Sequence, residues 1–99
     1  MTETNLNDIT ISQAVDYYRQ GNLEEAQKLF LNVLQNDAAN PDGLYFMALI
    51  DQQSGRSEVA EHRARELLRI KPGDGKARNL LGTILMGQRK LEEASEQFE

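Results

Sequence analysis

Residues 21–34 read GNLEEAQKLFLNVL, residues 55–68 read GRSEVAEHRARELL, and residues 89–99 read RKLEEASEQFE. These stretches start 34 residues apart, and Ala26, Ala60 and Ala94 fall in step within them. The same phase carries Ala14, Ala48 and Gly82, then Leu23, Ser57 and Leu91, then Phe30, Ala64 and Phe98, with no insertion anywhere. A fixed period of this length marks a helical solenoid, because each helix pair buries its apolar face only by stacking on its neighbours. Within residues 21–34, Leu23, Ala26, Leu29, Phe30, Val33 and Leu34 recur at helical spacing. The repeat therefore decides the fold class, and the class is all-α.

The punctuation between the apolar runs is regular. Thr10-Ile11-Ser12-Gln13 reads as a capping box, predicting a first helix from Thr10 to about Gln20 that stops at Gly21. Asn22 is the expected cap of a second helix, with Glu24 and Glu25 in the first turn, where carboxylates favour the helix dipole. Asn40-Pro41 opens a third helix, which carries Leu44, Met47, Ala48 and Leu49 and ends at Gly55. Ser57 is the expected cap of a fourth, which carries Val59, Ala60, Ala64, Leu67 and Leu68. Lys71-Pro72-Gly73 closes it, and Asp74 caps a fifth, holding Ala77, Leu80, Leu81, Ile84 and Leu85. A sixth is predicted to begin near Leu91.

Composition sets limits. Hydrophobic residues make up 39% and charged residues 27%, the profile of a soluble globular domain. With no cysteine and one histidine, a Cys/His structural zinc site has too few ligands, so no metal is expected. No apolar run is long enough to span a bilayer, and Met1–Ser12 has no basic residue to start a signal peptide. The expected setting is cytoplasmic, with no membrane partner. Net charge is −5, unevenly placed: residues 1–55 hold eight acids against Arg19 and Lys28, whereas residues 56–99 hold eight acids against nine bases. The bases concentrate in Arg63, Arg65, Arg69, Lys71, Lys76 and Arg78, interleaved with Glu61, Glu66 and Asp74. That pattern reads as a solvated helix face, and no nucleic-acid partner is expected.

The phased residues resemble the tetratricopeptide repeat family over about residues 8–99. In that family a large and a small residue stand side by side in the first helix; Met47-Ala48 and Leu81-Gly82 match, and Gln13-Ala14 supplies the first repeat. The family's second-helix alanine is matched by Ala26, Ala60 and Ala94, and its following aromatic by Phe30 and Phe98. Pro72 matches the repeat-ending proline, with Ala38 in the first repeat. Tyr17 suits the aromatic position late in the first helix, but Asp51 and Leu85 stand there in the next two repeats. Arg78 replaces the usual apolar residue at the start of repeat three. The resemblance implies a right-handed α-α superhelix of antiparallel helix pairs, one domain with repeats at about 7–40, 41–74 and 75–99.

By the same resemblance, one face of each first helix lines a concave groove. Here that face carries Ile11, Val15 and Tyr18, then Tyr45, Leu49 and Gln52, then Asn79, Thr83 and Met86. Most are apolar or aromatic, which suits a protein or peptide partner, either an apolar peptide or an amphipathic helix. The open alternative is a groove filled by residues 1–9, by a region beyond residue 99 or by a second copy. Some members clamp the acidic tail of heat-shock chaperones with Lys, Asn, Asn, Lys and Arg. The corresponding residues are Ile11, Val15, Phe46, Lys76 and Leu80. Only Lys76 matches, so that partner class is not expected.

No catalytic or cofactor-binding residue is expected. His62 shares no helical face with Ser57 and has no third partner. Pro72-Gly73-Asp74-Gly75-Lys76 lacks the glycine and hydroxyl of a P-loop. Repeat three reaches Glu99 without the polar-faced cap that usually ends a solenoid. Leu81, Leu85, Leu91 and Phe98 are accordingly expected to be partly exposed unless something covers them. The chain reads as the N-terminal part of a longer protein, with self-association through this third-repeat end or a frayed independent protein as alternatives. The main reading is a non-enzymatic interaction module. A second reading is the recruitment region of a larger bacterial-type enzyme, a glycosyltransferase or sulfotransferase, and a third is self-assembly.

Overall fold

A computed structural model of the chain describes residues 6–88. Five helices follow one another: α1 (Leu6–Arg19), α2 (Leu23–Asn36), α3 (Pro41–Gln53), α4 (Ser57–Ile70) and α5 (Gly75–Gly87). Neighbours in sequence pack against each other, α1 on α2, α2 on α3, α3 on α4 and α4 on α5. The described residues are all helix and turn. This is the helical solenoid that the repeat predicts. The predicted sixth helix, with Leu91, Ala94 and Phe98, lies outside the described residues.

The repeat phase is visible in single hydrogen bonds. At the end of α1 the Asn22 amide donates to the Tyr17 carbonyl at 2.9 Å and the Gly21 amide to Tyr18 at 3.0 Å. At the end of α3, 34 residues on, Arg56 donates to Asp51 at 2.8 Å and Gly55 to Gln52 at 3.1 Å. Both are Schellman closures, which need a left-handed residue, and Gly21 and Gly55 have φ of 81° and 83°.

Three caps form as their residue types predict. Asn22 Oδ1 accepts the Glu25 amide at 3.3 Å, Asn40 Oδ1 the Gly43 amide at 2.9 Å, and Asp74 Oδ1 the Lys76 amide at 3.0 Å. Two expected caps do not form. The first helix starts at Leu6, four residues before Thr10, whose hydroxyl instead bonds back to the Leu6 carbonyl at 2.8 Å. Asp8 in the first turn complements the dipole of this longer helix. At α4 the capping position falls on Arg56, without a side-chain cap, and Ser57 is already helical. The Schellman turn sets the entry point, so Arg56 takes the place that Asn22 holds one repeat earlier.

The core is built on small residues that let helices approach closely. Ala14, Ala26, Ala48, Ala60 and Ala64 are fully buried, and Gly82 is buried. Phe30, Met47 and Ile50 fill the space between the first two helix pairs. Leu80, Leu81, Ile84 and Leu85 pack against Ala48, Ala60 and Ala64. This corrects the expected exposure of Leu81 and Leu85, which are only 1% and 0% exposed. Both sit on the side of α5 turned to the preceding helix pair, as Met47 does on α3. Gln13, which holds that position in the first repeat, is exposed. Arg78, in the place of buried Leu44, swings its guanidinium to the Pro72 carbonyl at 3.0 Å and ties down the turn before α5.

Candidate functional site

The first helices of successive pairs supply the candidate groove. Between α3 and α5 lies a cleft of about 280 Å³, lined by Tyr45, Leu49 and Gln52 from one helix and Lys76, Asn79, Leu80 and Thr83 from the other. The second and third trios of the sequence reading thus meet, apart from Met86. That side chain is 50% exposed and stands outside the cleft lining. The Thr83 hydroxyl donates to the Asn79 carbonyl at 3.0 Å, which fixes its orientation on the helix.

The first trio is placed differently. Ile11, Val15 and Tyr18 are partly buried against the cluster of Ala14, Ala26, Phe30, Met47 and Ile50. Tyr18 is the member of this trio with a ring contact toward the second repeat. Its ring meets Phe46 edge-on at 5.4 Å, and Tyr45 also meets Phe46 edge-on at 5.4 Å. Phe46 stacks on buried Phe30 at 5.0 Å with the rings 5° apart. Gln53 donates its amide to the Tyr18 hydroxyl at 2.8 Å, a second tie between the repeats. Sequence reading treated Phe46 only as a mismatch to a clamp, and it missed Gln53. The signal for Phe46 is its phase: Leu80 stands 34 residues later in the groove.

A larger cleft of about 720 Å³ adjoins the first and shares Tyr45 and Lys76 with it. Its other lining comes from α3 (Pro41, Asp42, Phe46), from Leu67 on α4 and from the α4–α5 connection, including Lys71 and Asp74. Burial, then the neighbouring Tyr18 and the Asp74 carboxylate, push the Tyr45 phenol above its ordinary value of 10.0. It therefore stays protonated at neutral pH and available as a hydrogen-bond donor. A raised folded-state value means that the fold favours the neutral phenol. This contribution is whole below pH 10.0 and is lost as pH climbs through the folded value. Thermal melts in alkaline buffers should show a falling Tm above that point, and Tyr45→Phe should flatten the fall.

On the opposite side of α3, Asp51 is a buried carboxylate, 2% exposed. Arg56 Nε donates to one of its oxygens at 3.1 Å and Arg63 Nε to the other at 3.0 Å. The sequence reading registered Asp51 only as a departure from an aromatic position. The three residues lie on α3, a turn and α4, so helical spacing within one element does not reveal them. Among the described residues no group of three or more His, Cys, Asp or Glu is placed to hold a metal ion. None of the described helices is long and apolar enough to cross a membrane. His62 is exposed on α4, and the amides that open α5 are already occupied by the Asp74 carboxylate.

A family model described as tetratricopeptide repeat matches residues 45–99. A comparison with curated proteins finds no match.

Proposed function

The chain belongs to the tetratricopeptide repeat family, and we propose that it is a non-catalytic, cytoplasmic interaction module whose ligand lies along α3 and α5. Domains of this family are in general protein–protein interaction modules. The observation that carries the finer reading is the α3–α5 cleft, where Tyr45 and Leu49 form an apolar floor and Gln52, Asn79 and Thr83 a polar edge. Such a floor holds an apolar side chain of a peptide or helix, while the amides fix its register. Tyr18 extends the apolar surface toward α1 through its contact with Phe46. Ile11, Val15 and Met86 stay in the proposal as flanking contacts. Of the five residues in the clamp pattern only Lys76 is cationic, and Phe46 and Leu80 pack against apolar neighbours. An acidic chaperone tail is accordingly not the proposed ligand.

The test is a comparison of wild type with Leu49→Arg in a pull-down from cell lysate. Leu49 is half-buried on the cleft side, so the arginine stem has a route to solvent and the variant should retain its circular dichroism spectrum. A groove ligand should weaken by at least about 2 kcal/mol, the usual cost of losing an interface hot spot. Equal capture by both proteins would remove the groove from the reading.

A further inference from the structure

We propose, building on the groove reading above, that Gln52 is a specificity-determining residue of the α3–α5 cleft and pairs with the main chain of an extended ligand segment. The repeat phase carries the case. Tyr18 stands 34 residues before Gln52, and Gln53 stands 34 residues before Gly87. At the first junction the Gln53 amide donates to the Tyr18 hydroxyl at 2.8 Å, which ties α3 to α1. At the second junction the place of that amide is held by Gly87, so no side chain is there to make the tie. Crowding is not the reason for the glycine: among the described residues, a Cβ at position 87 would have nothing within 4 Å.

The Gln52 amide accordingly makes no hydrogen bond among the described residues, although it is half-buried and lines the cleft with Tyr45 and Leu49. Asn79, on the α5 side of the same cleft, has no side-chain partner among the described residues either. The cleft thus offers two carboxamides, each a donor and an acceptor in one group. A peptide group presents the matching pair, one N–H and one C=O. A helix has used these groups internally, so it can offer Gln52 only its side chains. An extended segment keeps them free, and its alternating side chains can set an apolar group on Tyr45 and Leu49 at the same time. A ligand that covers Gln52 without bonding to it strips water from the amide and returns nothing, so the cleft discriminates against it.

The experiment is a selection from a display library of random short peptides against the full chain. Peptides that also bind Leu49→Arg are discarded, so only groove-dependent sequences are kept. The best peptide is then resynthesised with each main-chain amide replaced in turn by an ester, which removes the N–H and weakens the carbonyl as an acceptor. At one position the ester should weaken binding to wild type by about tenfold. Against Gln52→Leu the same ester should change affinity by less than about twofold, because its partner is already gone. Leucine is close to glutamine in size, so Gln52→Leu should fold, and its melt checks this. Binding that survives every ester, or that falls equally on wild type and Gln52→Leu, overturns the Gln52 inference and leaves the groove standing. So does binding that strengthens when helix-favouring aminoisobutyrate is built into the peptide. A selection with no groove-dependent peptide overturns both.

Discussion

Phe30→Ala should lower the stability of the fold by about 3–5 kcal/mol, the range found for removing a fully buried phenylalanine. Phe30 is fully buried, and it touches the cluster of Ala14, Ala26, Met47 and Ile50 from α1, α2 and α3. Its ring stacks on Phe46, so the substitution removes an aromatic pair together with the buried area. The backbone around it cannot collapse into the gap, because Ala14 and Ala26 already hold the helices at close approach. In a solenoid each pair is stabilised mainly by its neighbour, so the damage should be local to α1 and α2. Urea unfolding should show a lower midpoint, and hydrogen exchange should show lost protection in residues 6–36 before 57–70. Uniform loss along the chain would mean that the repeats unfold as one unit.

Asp51→Ala should destabilise by about 3 kcal/mol, the lower end of the range for removing one partner of a buried ion pair. The lower end applies because the Arg56 side chain is 47% exposed and returns to water, whereas Arg63, 23% exposed, loses its partner in a partly dry site. The repeat offers a second arm. The positions of Asp51 and Arg63 are held one repeat earlier by Tyr17 and Leu29, which line one cleft together on α1 and α2. Asp51→Tyr combined with Arg63→Leu copies that apolar solution, and it should recover most of the loss seen in Asp51→Ala. A double variant as unstable as Asp51→Ala would show that the carboxylate has a role beyond neutralising Arg63. Denaturant midpoints of the three proteins decide it.

Much of this was legible in the sequence because the repeat and the caps are local. The 34-residue phase placed Ala14, Ala26, Ala48 and Ala60 in the core, and it aligned the trios of Tyr45 and Asn79 that share a cleft. Asn22, Asn40 and Asp74 cap as their side chains dictate, since an amide three residues on is within reach of any such cap. Thr10 and Ser57 misled for different reasons. Thr10 lies inside a helix already running from Leu6 and bonds back to the Leu6 carbonyl, whereas the Schellman turn at Gly55 puts the capping position of α4 on Arg56.

What the chain by itself determined is its helical period, its small-residue contacts and the apolar character of one face of each first helix. These follow from residue type and spacing, which act within a turn or two of helix. Only the tertiary structure decided that Leu81 and Leu85 face the preceding pair. The same is true of the Asp51 site shared by Arg56 and Arg63, and of Phe46 as the hinge of an aromatic group joining Tyr18 and Tyr45. These features depend on how helix pairs rotate against one another when they stack. That rotation is set by the summed packing of many side chains, and no single stretch of sequence carries it.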